Sequence, residues 1–372
     1  MSEGYALRYL RRVMGWGFEE DDRETRWLRT VSAFKYDGYR DFLAGSRFPE
    51  ALLNWLQQFD PADRRVAYRF FRERLVFISW AEINQLVRRT LPAYGRTVIV
   101  RRVSEKTGVP PYLVWSNPGA RQRVEETLKR TLFIGLSDGA RIDAFRRANV
   151  GKVTNEQVTL SYENSETKWG DLHKDLAKRT GDTAAKFEVM FLVDDFTASG
   201  KSLLRKKTDG SWSGKLKRFA EGFNRHRTLF ADDCTIAVHH YIGTPKSQQD
   251  SAAQLAQAAT DEKLKPWLPQ PIELSFDLMI PSSVVVTRGA DKEIDDLFTK
   301  YYDSNVHLMS KSLPVGGAED ARYGFAGCGL PVVIEHNTPN NSVALLWAES
   351  DEAPKDGERA MRPLFRRRQR HT

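Results

Sequence analysis

Two adjacent carboxylates, Asp194 and Asp195, end an apolar run and precede a turn rich in hydroxyls and glycine, Thr197-Ala198-Ser199-Gly200-Lys201-Ser202. Acids placed so suit the two hydroxyls of a ribose, or a magnesium ion that keeps its waters. Thr197, Ser199 and Ser202 supply hydroxyl donors, and Gly200 permits a backbone conformation barred to residues with a Cβ. Lys201 adds a positive charge, and amides converging in such a turn form an anion site. A phosphate fits there. The plain alternative is a strand, turn and helix whose acids bind nothing, but two carboxylates at a buried strand end are costly without a ligand. At a strand end the acids are expected outside the core, so replacing both should leave the fold intact.

The elements that must position these residues can be read on either side. Val189 to Val193 is short, β-branched and aromatic, the pattern of a buried central strand of a parallel sheet. Ser202-Leu203-Leu204 reads as the start of the following helix. In an open α/β sheet, ligands sit beyond the carboxyl ends of the strands. Gly200-Lys201-Ser202 also ends like a Walker A loop, but that motif needs a glycine where this chain has Asp195. A second strand and loop come earlier: Thr131 to Leu136, then Ser137-Asp138-Gly139-Ala140-Arg141 and a helix through Phe145-Arg146-Arg147.

Four or five apolar residues, two acids, then a Thr/Ser/Gly-rich loop: this resembles the 5-phosphoribosyl-1-pyrophosphate (PRPP) motif of the type I phosphoribosyltransferases. The resemblance implies that Asp194 and Asp195 hold the ribose hydroxyls, with magnesium, as the catalytic acids. It implies that Ala198 to Ser202, with Thr197, cradle the 5-phosphate. The loop at Ser137, Asp138, Gly139 and Arg141 resembles the family's pyrophosphate loop, where amides and the Arg141 guanidinium would meet a diphosphate. The strand Val158 to Tyr162 and the polar stretch Glu163 to Lys174 occupy the slot of a mobile loop that closes over substrate in the resembled enzymes. Ser161-Tyr162 echoes a Ser-Tyr pair found in some oxopurine members, and Lys168 and Trp169 are candidate lid residues. A lid excludes water, so that PRPP reacts with its acceptor and not with solvent. An ordinary surface loop reads the same way.

The whole chain sets wider bounds. Its 372 residues allow one large or two ordinary domains, and 41% apolar content with twenty Phe, twelve Tyr and nine Trp argues against disorder. The +8 charge is spread along the chain except at Phe365 to His371, a basic segment that reads first as a solvated terminus and only weakly as a nucleic-acid contact. Two cysteines, Cys234 and Cys328, exclude a disulfide framework and a four-cysteine metal site. With no signal peptide at the start and no apolar run of membrane length, a cytoplasmic protein without membrane contact is expected.

Three segments are expected. Residues 1–95 form a helical packing or partner-docking domain, in which Pro49 opens a helix and Pro61 another that runs through Phe77. Trp55, Phe59, Phe70, Phe71 and Trp80 read there as core and not as a base-stacking surface. Residues 96–350 form the α/β domain with an insertion at 243–270, and 351–372 the basic tail. Cys234 to Ile242 and Ile272 to Ile280 read as further strands. His239 and His240 must point to opposite faces, and no third ligand completes a zinc site. The turn Asn337-Thr338-Pro339-Asn340-Asn341 suits a left-handed backbone, though an amide also reads a base edge.

That turn, taken with the helical region at Phe48 to Ser79, resembles the PRTase-CE family of bacterial conflict and anti-phage loci. The implied fold is α/β, a type I phosphoribosyltransferase-like (Rossmann-like) parallel sheet with an N-terminal helical domain. One departure stands out. Oxopurine enzymes place an acid in the phosphate loop to handle the base, and the matching position here is Ala198. An orotate-type reaction survives that change. So does a second reading, a non-catalytic sensor that binds PRPP or a related nucleotide and signals through the helical domain.

Overall fold

The computed structural model describes residues 3–40, 42, 47–160, 166–262, 264, 268, 271–304, 306, 316–318, 320–350 and 360–367. The chain packs as two units: Met1–Glu82 with Pro281–Thr372, and Ile83–Ile280. The division falls at 82/83 and 280/281, not at 95/96. Residues 83–95 belong with the sheet, and 281–350 belong with the N-terminal helices.

In chain order the helices begin with α1 (Glu3–Met14), α2 (Phe18–Phe34), α3 (Phe48–Leu56) and α4 (Arg64–Arg74), followed by the short strand β1 (Val76–Ile78). Pro49 lies in the first turn of α3, where its missing N–H has no partner to lose. Phe48, Leu52, Leu53, Trp55, Leu56, Phe59, Phe70 and Phe71 are all buried in the first unit's core. Two expectations change here. Trp80 is 55% exposed and lies outside that core. Phe77 is not helical but sits in β1, which pairs in parallel with a far strand, Val332–Ile334. The C-terminal segment is also not free: Phe365 is fully buried and stacks on Phe48, while the Tyr39 hydroxyl donates to the Arg366 carbonyl at 2.5 Å. Within the asparagine turn, the Asn341 amide donates to Phe325 O, and Asn337 exchanges backbone bonds with Ile334.

The second unit runs through α5 (Trp80–Arg89, its first residues in the other unit), a π-helical turn Thr90–Gly95, α6 (Arg96–Thr107) and α7 (Pro118–Lys129). Next come β2 (Thr131–Gly135), α8 (Ile142–Ala148), β3 (Val158–Leu160), α9 (Glu166–Thr180) and β4 (Phe187–Phe196). The small hairpin β5 (Arg205–Lys206) and β6 (Trp212–Ser213), α10 (Lys215–Arg225), β7 (Phe230–Gly243), α11 (Pro245–Thr260) and β8 (Ile272–Met279) complete it. The chain then closes in the first unit with α12 (Lys292–Lys300), β9 (Val332–Ile334) and α13 (Ala344–Trp347).

Strands β3, β2, β4, β7 and β8 form one five-stranded parallel sheet in that order. The apolar runs at 131–135 and 189–193 are entirely buried, as strands covered on both faces must be. The chain leaves β2 for β3 on one side and returns to β4 on the other. The carboxyl ends of β2 and β4 are therefore the topological switch point, where crossovers diverge and leave a crevice.

Candidate functional site

Both loops singled out in the sequence emerge at that switch point. Leu136 N donates to Val193 O at 2.8 Å, carrying the β2–β4 pairing to the last residue before each loop. Successive side chains of a strand point to opposite faces. Asp194 therefore turns to one face and Asp195 to the other, each toward a different part of the 137–141 loop.

Asp194 has no solvent exposure. Its Oδ1 accepts from Ser137 Oγ at 2.5 Å, and its Oδ2 receives the ammonium of Lys215. His240 Nε2, across the strand pair, lies 3.8 Å from the same oxygen. Asp194 is thus core, and the expectation of an acid outside the core is corrected: a buried carboxylate persists because a hydroxyl and a cation meet it. Burial pushes the His240 imidazole down to about 4 against the pull of Asp194, so it is neutral at pH 7. His239 faces the other way, with Nδ1 at 2.9 Å from Ser275 Oγ and its ring 4.3 Å from that of Tyr94.

Asp195 is half-buried and lies against Gly139. A Cβ at position 139 would stand 2.0 Å from Asp195 Oδ2, so only glycine lets the two loops approach this closely. The 137–141 loop is held from below by Tyr241, whose hydroxyl donates to Ala140 O at 2.7 Å. Arg141 adopts φ 47°, ψ 43°, a left-handed conformation uncommon for a residue with a Cβ, and α8 begins directly after it.

The turn after β4 is closed on itself. Gly200 N donates to Thr197 Oγ1 at 3.3 Å, Leu203 N to Gly200 O at 3.1 Å, and Thr244 Oγ1 to Ala198 O at 2.8 Å. Gly200 has φ +69°, and its missing Cβ would meet Ser251 Oγ at 2.8 Å, so α11 packs directly against the turn. Thr197, Ala198, Ser199 and Gly200 are buried, Lys201 is half-buried and Ser202 is exposed. Ser202-Leu203-Leu204 does not start a helix. The hairpin β5–β6 intervenes, and α10 begins at Lys215.

Sequence reasoning missed Lys215, because nothing local marks a residue after a hairpin as the partner of an acid 21 positions earlier. Trp169 is no lid residue: it lies on α9, buried, stacked on His226 and packed against Phe230. Lys168 is half-buried on the same helix, and Ser161-Tyr162 lie outside the described residues.

A magnesium ion shared by Asp194 and Asp195 does not suit this donor set. Asp194 has both oxygens engaged, Asp195 faces away from it, and no group of three or more metal-ligating side chains occurs among the described residues. Among those residues, no helix is long and apolar enough to cross a membrane.

Neither the curated proteins nor the solved structures contain a match to this chain. A family model described as PRTase-CE does match, over residues 52–367, a span that contains both loops, the whole parallel sheet and β9. With most of its length matched, and with the two loops meeting at the sheet's switch point, the chain belongs to the PRTase-CE family and is a phosphoribosyltransferase-like protein.

Proposed function

We propose that the crevice at the carboxyl ends of β2 and β4 binds PRPP and transfers its phosphoribosyl group to an acceptor, as an effector step in bacterial anti-phage defence. One observation carries the reading: the Gly139–Asp195 approach, which brings a phosphate-type turn and a diphosphate-type loop to either side of one carboxylate. Asp195 would accept from a ribose hydroxyl. Thr197, Ser199, Gly200, Lys201 and Ser202 would hold the 5-phosphate, and Asp138, Gly139 and Arg141 would face the diphosphate. The bond from the anomeric carbon to pyrophosphate breaks as the bond to the acceptor forms, through an oxocarbenium-like state. The protein contributes position, exclusion of water and charge for the leaving group. Magnesium enters this reading as part of the substrate, on the diphosphate oxygens.

A second reading is favoured by Ala198. It brings no acid to the base position, and its carbonyl is engaged by Thr244. On that reading the site binds PRPP or a related nucleotide without turning it over, and the helical unit passes the signal to a partner protein.

A phosphorus NMR time course with PRPP, magnesium and cell extract as acceptor source separates the two. Pyrophosphate released by the wild type and not by Asp195→Asn supports transfer. PRPP resonances that broaden without converting support the sensor, and no perturbation at all defeats both readings. Asp195→Asn is the clean control, because Asp194→Asn would leave Lys215 facing a buried neutral amide. Lys201→Ala should weaken PRPP binding by about 1–3 kcal/mol, the size of a lost charge-assisted hydrogen bond.

A further inference from the structure

Lys215 is placed against the grain of its own helix. The first turn of α10 carries Lys215, Lys217 and Arg218 and no acid, at the end where the helix dipole is already positive. The chain nevertheless brings it there by a specific route. The hairpin β5–β6 loops out, and the chain rejoins the turn it left: Lys215 N donates to Ser202 O and Leu216 N to Leu203 O, both at 3.0 Å. The junction needs Gly214, which has φ +123° and whose missing Cβ would lie 2.4 Å from Leu203 O. At the end of this route Lys215, its side chain 19% exposed, brings its ammonium to an Asp194 side chain with no exposure at all.

A lone ionised carboxylate is not stable at such depth, so something cationic must stand beside it. A divalent ion would serve; here the chain supplies its own. We propose that Lys215 is the built-in counter-cation of Asp194, so that the ribose side of the crevice works without a protein-bound metal. A divalent ion then belongs only to the diphosphate end of a ligand. The part concerning ribose rests on the ribose-phosphate reading above, while the charge pairing concerns the free protein.

The two parts are tested separately on the full chain. In a manganese titration followed by electron paramagnetic resonance, the wild type should leave the ion free. Lys215→Met should take up one ion at a manganese concentration roughly tenfold below any at which the wild type shows uptake, and adding Asp194→Asn should remove that uptake. In thermal melts, Lys215→Met should lower the midpoint, and the Lys215→Met, Asp194→Asn pair should recover most of the loss. The proposal is overturned if the wild type binds manganese through Asp194, so that Asp194→Asn alone abolishes the binding. It is equally overturned if the double variant is no more stable than Lys215→Met, which also decides the matter should the single variant not fold.

Ribose 5-phosphate, which carries no diphosphate, is the probe for the second part. Its affinity for the wild type should agree within about threefold between chelator and magnesium buffers. A gain of roughly tenfold or more on adding magnesium overturns the proposal. No binding in either buffer defeats the ribose-phosphate reading and leaves the manganese and melting results to decide the pairing.

Discussion

A methyl group at position 139 has nowhere to go. Its carbon would fall 2.0 Å from Asp195 Oδ2 and 2.5 Å from Asp195 Cγ, so the carboxylate must move. Neither partner is a large apolar side chain, and the loop backbone at 139 is not left-handed, so little stability is at stake. Gly139→Ala should therefore weaken PRPP binding severely while moving the melting midpoint by only a few degrees, which calorimetric titration and a thermal melt together would establish. Gly200→Ala should instead strike the fold first, whatever it also costs the phosphate turn. There φ is +69° and the new Cβ meets Ser251 Oγ at 2.8 Å and Ser251 N at 3.1 Å, so strain and contact fall on the fold itself. Left-handed backbone costs a residue with a Cβ about 1–2 kcal/mol before any clash, and the melting midpoint should fall clearly. Equal effects of the two substitutions on binding and stability would mean that the glycines are interchangeable spacers, and that the loop approach does not serve the ligand.

At the level of elements, β7 carries a pH liability. Burial pushes His239 down to about 3 and His240 down to about 4, where Asp194 and Asp195 pull upward and Lys215 downward. In the unfolded chain both titrate near pH 6.5, so above that pH neither state holds the extra protons. As the pH falls below about 6.5, the unfolded chain takes up protons that the folded one refuses. Each histidine then removes up to about 1.4 kcal/mol of stability per pH unit. Urea midpoints measured from pH 7 to pH 5, above the range of ordinary carboxylates, should fall steadily, and His240→Gln should roughly halve the slope. A flat profile would mean that both rings take up their protons in the fold; half the expected slope would mean that one does. The strands that create this situation were legible, because β2, β4 and β7 are apolar runs bounded by polar turns. The hairpin carries a local signal of its own: Asp209-Gly210 between Arg205-Lys206 and Trp212-Ser213 is a hairpin turn by composition. Gly210 indeed has φ +77°, and Lys207 N donates to Ser211 O. Trp169 was also readable as core, since Trp169, Leu172 and Leu176 fall on one face of α9.

At the scale of the whole molecule, the crossing of the chain between units is what the sequence concealed. A three-residue strand such as Val76–Ile78 pairs with Val332–Ile334 across some 250 positions, and no local pattern announces so distant a partner. Apolar periodicity reports burial and not the unit in which a residue is buried; Phe365, read as part of a solvated tail, is fully enclosed. The consequence is testable. The unit Ile83–Ile280 is continuous in sequence, and among the described residues the apolar clusters built on its sheet and on α6 and α7 draw on residues within it. The other unit is discontinuous, its core joining residues before 78 to residues after 285. A fragment spanning 83–280 has a length at which a single domain buries enough apolar surface to fold alone. It also contains both loops, Asp194, Asp195 and Lys215. Expressed by itself, it should unfold in one cooperative transition and keep the PRPP affinity of the full chain within about threefold. A fragment of 281–372 should show neither cooperative unfolding nor persistent helical signal, because the partners of Phe365 and β9 lie at the other end of the chain. If the 83–280 fragment folds but loses the ligand, residues outside it complete the site. If it does not fold at all, the expectation that residues 83–280 suffice for their own fold is wrong.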